Sequence, residues 1–97
     1  MWLITRQRLT ECWEKHPDAE EPLKTWAKEA EHAQWSSSND IIARFPYADP
    51  IGDNRVVFNI KGNKYRLVVK IHYNTKVVYI RFVGTHAEYN KINAETI

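Results

Sequence analysis

Hydrophobic and polar residues alternate along three stretches in the second half of the chain. These are residues 55–60, 65–73 and 76–83, and all three are rich in Val, Ile, Tyr and Phe. Such alternation is typical of β-strands with one buried face. Gly62-Asn63 and Asn74-Thr75 separate the stretches and suit two-residue turns. The pattern therefore predicts an antiparallel meander of three strands.

The two turns fix the register of this meander, because each turn sets which residues face each other. They predict Asn59 opposite Arg66, Phe58 opposite Leu67, Val56 opposite Val69, Leu67 opposite Phe82, Val69 opposite Ile80 and Ile71 opposite Val78. One face is then apolar and carries Val56, Phe58, Ile60, Leu67, Val69, Ile71, Val78, Ile80 and Phe82. The other carries Asn59, Arg66, Lys70, Tyr79 and Arg81, with Arg81 opposite Val68 and diagonally between Arg66 and Lys70. We expect helices on the first face and a ligand on the second.

The first half of the chain has the hydrophobic spacing of helices. Leu9, Cys12, Trp13 and His16 share one side of a helix that Thr5 can cap and Pro17 ends. A second helix begins at Asp18, which resembles a capping box with Glu21, and fades near Gln34. Its apolar stripe consists of Leu23, Trp26, Ala27 and Ala30.

Shorter elements complete the predicted fold. Residues 2–4 suit an edge strand, residues 40–45 a single helical turn, and residues 46–54 an irregular connection. Thr85 can cap a last short helix that holds His86 and Tyr89. The predicted class is α+β, with two N-terminal helices packed on one face of a small antiparallel sheet of four strands and a short C-terminal helix.

Size and composition narrow the class of protein. A chain of 97 residues with 43% hydrophobic residues is expected to form one domain, residues 1–97. All four tryptophans are expected in the core, with Trp35 the nearest to solvent.

The single cysteine, Cys12, is expected to be a small buried residue in a reducing compartment, which favours the cytoplasm. No signal peptide, membrane span, metal-ligand motif or nucleotide-binding loop is evident, so we expect neither a cofactor nor a membrane.

Charge is distributed unevenly, although the formal net charge is only +2. No acidic residue lies between Asp53 and Glu88, whereas that segment carries seven Lys or Arg residues: Arg55, Lys61, Lys64, Arg66, Lys70, Lys76 and Arg81. Strand pairing gathers several of them onto one face, next to a His86 and Tyr89 pair. Such a basic, aromatic-edged sheet favours a polyanion, and RNA is the leading candidate.

Two segments carry a resemblance to a known family. FNIKGNKYRLV at 58–68 is a hairpin with a patterned turn, and IRFVGTHAEYNKI at 80–92 joins the last strand to the terminal helix. Together they resemble the HigB-like branch of the RelE superfamily, and the resemblance runs from the opening WLIT to Ile92. It departs from the family pattern at Asn90, where relatives often have Asp.

The resemblance implies the toxin of a type II toxin–antitoxin pair. Such a toxin is a metal-independent endoribonuclease that cleaves mRNA, commonly on the translating ribosome. Its implied partners are mRNA, the ribosome and a helix-turn-helix antitoxin, which would be HigA-like. The implied fold is RelE-like, with two helices on a small antiparallel sheet.

Cleavage of this kind uses the ribose 2′-OH as the nucleophile. It needs a base for the 2′-OH proton, cations for the phosphate and an acid for the 5′-oxygen. The expected catalytic residues are Arg66 and Arg81 as the phosphate clamp, Lys70 as proton carrier or added charge, His86 as acid or base, and Tyr89 as a phosphate, base-stacking or proton-transfer residue. The expected RNA-binding residues are Asn59, Lys61, Lys64 and Tyr79.

Two other functions fit the same fold. One is a ribonuclease that cuts free RNA without the ribosome, which the low net charge disfavours. The other is a non-catalytic RNA-binding or partner-binding domain.

Overall fold

The computed structural model describes all residues 1–97 and is organised around one five-stranded sheet. The strands are β1 (Trp2–Ile4), β2 (Asp49–Ile51), β3 (Arg55–Ile60), β4 (Tyr65–His72) and β5 (Val77–Thr85). They lie in the order β1-β5-β4-β3-β2. All neighbouring strands are antiparallel except β1, which runs parallel to β5.

Four helices accompany the sheet. They are α1 (Gln7–Lys15), α2 (Glu20–His32), α3 (Ser38–Arg44) and the short α4 (His86–Tyr89), and a 3-10 turn at Pro17–Ala19 precedes α2. One continuous core joins the apolar sides of the first three helices to one face of the sheet. This arrangement confirms the predicted α+β class. None of the helices is both long enough and apolar enough to cross a membrane.

The predicted register of the first hairpin is confirmed. Asn59 lies opposite Arg66, Phe58 opposite Leu67 and Val56 opposite Val69. Lys64 N–H donates to the carbonyl of Lys61 at 3.3 Å, so Gly62 and Asn63 are the central residues of the turn. The alternation of apolar and polar residues was sufficient here because both strands are regular.

The second hairpin follows the prediction only as far as Ile80. Ile71 lies opposite Val78 and Val69 opposite Ile80, but Val68 then lies opposite Phe82. The prediction that Leu67 pairs with Phe82, and Val68 with Arg81, is therefore wrong. A β-bulge at this point leaves Arg81 as an extra residue in β5, which shifts every later residue by one position.

The bulge changes which β5 side chains enter the core. Val83 lies opposite Leu67 and packs against the core, while Phe82 leaves the predicted apolar face and approaches the Tyr89 ring at 6.4 Å. The other eight residues predicted for the apolar face are all buried in the core. We call the opposite side, which carries Asn59, Arg66, Lys70, Tyr79 and Arg81, the open face.

Residues 46–54 contain a strand that the sequence did not predict. β2 pairs with β3 through Asp49 opposite Val57 and Ile51 opposite Arg55, so the sheet has five strands rather than four. Pro50 and Gly52 gave this stretch the composition of a loop. An edge strand tolerates proline, because one side of its backbone makes no ladder hydrogen bonds.

Both predicted caps of the N-terminal helices are wrong. The residue before α1 is Arg6 and the residue before α2 is Ala19, and neither helix has a side-chain cap. Asp18 lies in the 3-10 turn, where its carboxylate binds Lys61, Lys64 and Tyr65. Contacts from distant parts of the chain therefore replace the capping box.

The exposure of the tryptophans differs from the expectation. Trp35 is buried with 5% of its surface exposed, and its ring stacks on Phe58 at 6.3 Å. Trp2 is the exposed one, at 70%. Cys12 is buried as expected, and burial raises the pKa of its thiol, so it is a poor nucleophile.

Candidate active site

Arg66 and His86 lie close together at the edge of the sheet where β4 begins and β5 ends. Arg66 lies opposite Gly84, and His86 begins α4 two residues later. The Arg66 Nη2 atom is 3.0 Å from the His86 Nε2 atom. The structure thus brings these two predicted site residues into contact.

A hydrogen bond at this contact requires one particular tautomer of the histidine. A guanidinium group can only donate hydrogen bonds, so His86 Nε2 must accept and the ring proton lies on Nδ1. The Asn90 side-chain nitrogen is 3.4 Å from Nδ1. A protonated Nδ1 donates, so it can bond to the Asn90 amide only through the amide oxygen, which requires the amide to be turned by 180°. Asn90 can thus position the ring by a hydrogen bond, whereas an Asp would add a negative charge beside it.

A capping box holds α4, and with it His86, at the end of the sheet. Thr85 Oγ1 accepts from the Glu88 N–H at 3.2 Å, and Glu88 Oε1 accepts from the Thr85 N–H at 2.8 Å. The predicted cap at Thr85 is confirmed. The Thr85 backbone hydrogen bond holds the pKa of the Glu88 carboxyl below its usual value. The cap therefore stays charged at neutral pH.

Gly84 is a residue of the site that the sequence prediction missed. A side chain there would place Cβ 2.7 Å from Glu88 Oε1 and 2.9 Å from the Phe82 ring, closer than van der Waals contact allows. A side chain at this position would require the capping carboxylate or the Phe82 ring to shift. A glycine inside a strand, next to a capping threonine, was the available signal.

Tyr89 lies over the same arginine. The Arg66 guanidinium carbon is 5.3 Å from the centre of the Tyr89 ring, and the His86 ring is 6.4 Å from it. A cation above an aromatic face is attracted to it, which orients the guanidinium. The Tyr89 hydroxyl makes no hydrogen bond within the protein and is available to a ligand.

Arg66 is the least satisfied of the buried or half-buried cations. Its guanidinium makes one hydrogen bond, to His86, and its Nε atom is buried without a partner. Arg55 is the contrast: it is 6% exposed and donates to Asp53 and twice to the Ile97 main-chain oxygen. Arg55 thus has the contacts of a structural residue. Arg66 keeps hydrogen-bond donors without partners, which is typical of a group that binds an anionic ligand.

Arg81 and Lys70 are not part of this contact cluster. Arg81 Nε donates to the Ile97 main-chain oxygen at 3.3 Å, which Arg55 also binds. Lys70 Nζ is 3.5 Å from Asp53 Oδ2, and Arg55 and Lys70 hold the pKa of the Asp53 carboxyl below its usual value. A carboxylate therefore compensates the charge of Lys70.

The expected RNA-binding lysines are also paired. Lys64 and Lys61 lie 2.5 and 3.1 Å from Asp18 Oδ2, and Tyr65 donates to Oδ1 of the same residue. These bonds, the one from Lys64 foremost, hold the pKa of Asp18 well below its usual range. Burial, together with Asp18, raises the pKa of Tyr65 to about 12. Both lysines therefore tie the hairpin to the start of α2.

Asn59 and Tyr79 lie on the open face, as predicted. Asn59 is exposed opposite Arg66. Tyr79 lies opposite Lys70, and its ring is 5.1 Å from that of His72. The structure brings together no three His, Cys, Asp or Glu side chains in a group that could hold a metal ion.

The sequence matches a protein-family model over residues 19–92, which includes Arg66, Gly84, His86, Tyr89 and Asn90. The family is described as HigB toxin, the RelE-like toxic component of a toxin–antitoxin system. The chain belongs to the HigB toxin family. β1 and α1 precede the matched residues.

Curated relatives of the HigB family align over almost the whole chain. The mRNA interferase toxin HigB of Escherichia coli K12 is 31% identical over 96 residues, which cover 97% of this chain and 92% of the relative. The mRNA interferase HigB of Shigella flexneri has the same identity and coverage. The mRNA interferase HigB of Escherichia coli O6:H1 is 23% identical over 95% of this chain and 91% of its own length.

Proposed function

We propose that this chain is an endoribonuclease, the toxin of a type II toxin–antitoxin pair, and that it cleaves mRNA on the translating ribosome without a metal ion. The contact between Arg66 and His86 carries the proposal. It joins a cation with no carboxylate partner to a histidine, and these groups can supply the phosphate charge and the base that 2′-OH attack on phosphorus requires. The names of the curated relatives point to the same substrate.

The proposed reaction begins when the scissile phosphate binds the Arg66 guanidinium. Arg66 then turns from His86 to the phosphate, which frees the lone pair on His86 Nε2. His86 takes the 2′-OH proton as the 2′-oxygen bonds to phosphorus. The bond from phosphorus to the 5′-oxygen breaks, which leaves a 2′,3′-cyclic phosphate and a 5′-oxygen that takes up a proton. The unpartnered Tyr89 hydroxyl is our candidate donor of that proton.

The ribosome enters the proposal because the protein has few free cations. Lys61, Lys64 and Lys70 are each paired with a carboxylate, and the formal net charge is only +2. Affinity for free RNA comes largely from unpaired cations on phosphates. The ribosome would supply the affinity and orientation that this surface lacks.

The proposal takes residues 1–97 as one toxin domain in the cytoplasm, where its mRNA substrate is translated. One continuous core supports the single domain. The antitoxin partner follows from the family, and we propose that it is a HigA-like helix-turn-helix protein.

The test is to incubate the purified protein with one mRNA, with and without translating ribosomes. We expect cleavage only in the presence of ribosomes. Equal cleavage rates in both reactions would identify a ribosome-independent ribonuclease. If the protein binds the ribosome or the antitoxin but cleaves nothing, it is a non-catalytic domain of the same fold and the proposal is wrong.

A further inference from the structure

A pocket at the β3 side of the sheet has no role in the reaction proposed above. Its volume is about 480 Å³, which is within the usual range for small-molecule sites. β2 pairs with β3 only as far as Val57, so the last residues of β3 have no strand beside them. Residues 45–48 form one wall of this gap and residues 62–63 form another, with Phe58 and Asn59 between them. We call this gap the edge pocket.

The main chain of Asn59 presents a free donor and a free acceptor at this edge. The Ile71 N–H donates to the carbonyl of Asn54 at 2.9 Å, so Asn54 and every second residue after it bond to β4. The residues between them, which include Val57 and Asn59, point their backbone groups toward β2. Val57 pairs there with Asp49, but β2 does not reach Asn59. No other part of the protein bonds to the Asn59 N–H or carbonyl.

Aromatic rings line the edge pocket beside this backbone pair. The Phe45 ring meets the rings of Trp35 and Phe58 edge to face, at 6.3 and 5.3 Å, so its position is fixed by the core. Tyr47, in contrast, is 84% exposed and makes no aromatic contact within the protein. A planar ligand with a polar edge matches this arrangement, because its face can stack on Tyr47 while its edge bonds to Asn59.

The edge pocket is close to neutral. No Asp or Glu lines it, and its one charged lining residue is Arg44, whose charge is compensated by Glu29. Such a pocket suits an uncharged aromatic group better than a phosphate. An RNA chain offers both, since its bases are uncharged and its phosphates are anionic.

Asn59 connects the edge pocket to the proposed phosphate site. It lies opposite Arg66 in a pair without backbone hydrogen bonds, where side chains approach most closely. Asn59 is exposed and Arg66 is half-buried, whereas Val57 and Val68, the next pair on this face, are fully covered. At about 4.8 Å per strand, the pocket begins about 10 Å from the Arg66 main chain. This is within the reach of the nucleotide next to a bound phosphate.

We propose that the edge pocket binds the base of a nucleotide next to the phosphate that Arg66 holds, with the base stacked on Tyr47 and its polar edge on the Asn59 main chain. Each RNA base has a donor beside an acceptor on its Watson–Crick edge, so it complements one N–H and one carbonyl. This inference rests on the proposed function and deepens it by naming where a base of the substrate is held. The competing occupant is a strand added by a protein partner, but one open residue offers such a strand a single pair of hydrogen bonds.

The probes are 2′-O-methyl RNA dinucleotides, one for each base, and the same sugar–phosphate without bases. They have no free 2′-OH and are not cut. Binding is followed through the NMR signals of the isotope-labelled protein. The Asn59 amide signal should shift with at least one base-containing probe and not with the baseless one, whereas the Arg66 side-chain signal should shift with both. Tyr47→Ala should raise the Kd about 5- to 140-fold, the loss expected for one stacked base, and Tyr47→Phe should keep most of the affinity.

Trp2→Ala is the matched control, because Trp2 is the other large exposed aromatic residue, at 70%, and lies on β1 at the opposite edge of the sheet. It should bind as wild type does. The inference is wrong if the Asn59 amide shifts with no probe, or equally with the baseless one. It is also wrong if Tyr47→Ala binds as tightly as wild type, or weakens only the antitoxin complex. Wild-type cleavage on ribosomes, measured separately, distinguishes failure of this inference from failure of the proposed function.

Discussion

Arg66→Ala should lower the single-turnover rate of mRNA cleavage on programmed ribosomes about 10²-fold or more. The loss follows from removing the cation that we propose neutralises the phosphate as negative charge develops. The fold should survive, because the Arg66 side chain makes one hydrogen bond and no salt bridge. We expect the free energy of unfolding to change by no more than about 0.5 kcal/mol, because the side chain points away from the apolar face of the sheet.

Arg6→Ala is the matched control for Arg66→Ala. Arg6 is an exposed arginine whose partner, Glu31, lies on α2, away from the open face. Its replacement removes the same charge and should leave the cleavage rate unchanged. If both variants cleave at the wild-type rate, Arg66 does not belong to the site. Arg81→Ala is less informative, since it also removes a contact with Ile97.

His86→Gln should lower the rate about 10²- to 10⁴-fold and abolish its dependence on pH on the acid side. A general base must be unprotonated, so wild-type activity should fall as the pH drops and the base takes up its proton. Glutamine keeps a hydrogen-bonding group near Arg66 but cannot take up the proton. Binding to the ribosome should therefore persist while cleavage is lost.

The measurement is single-turnover cleavage across a pH series for wild type, His86→Gln, Tyr89→Phe and Lys70→Met. His32→Gln is the control, because His32 is an exposed histidine on α2 that bonds only to Lys28 O. An unchanged rate and pH profile in His86→Gln would mean that Tyr89 or Lys70, rather than His86, transfers the proton. Unchanged rates in all three site variants would mean that charge and orientation suffice.

The sequence predicted the paired strands well and the bulge not at all. In β3 and β4 the alternation is regular, so the turn at Gly62 and Asn63 determined every pair. In β5 the alternation continues through Arg81 without interruption, and nothing local indicates an extra residue there. The bulge is seen in the strand register, and the residues after it, Phe82 and Gly84, pack closely with Glu88 of α4, which lies outside the local strand pattern.

The candidate site was predictable where its residues are close along paired strands. The predicted register placed Arg66 one residue from its observed partner, Gly84, and the capped helix follows directly in either register, so His86 and Tyr89 were expected nearby. The environments of the lysines were not predictable. Their partners, Asp18 and Asp53, come from a turn before α2 and from the loop before β3. Nothing in the local sequence indicates either contact.

The chemical ends of the cleaved mRNA test the central claim most directly. Attack by the 2′-OH, assisted by Arg66 and His86, must leave a 2′,3′-cyclic phosphate on the upstream fragment and a 5′-hydroxyl on the downstream one. The 5′-hydroxyl is the decisive end, because later hydrolysis of the cyclic phosphate does not alter it. Mass spectrometry of the fragments from ribosome-bound mRNA should find a 5′-hydroxyl. A 5′-phosphate together with an upstream 3′-hydroxyl would mean that water attacks the phosphorus, and would contradict the account.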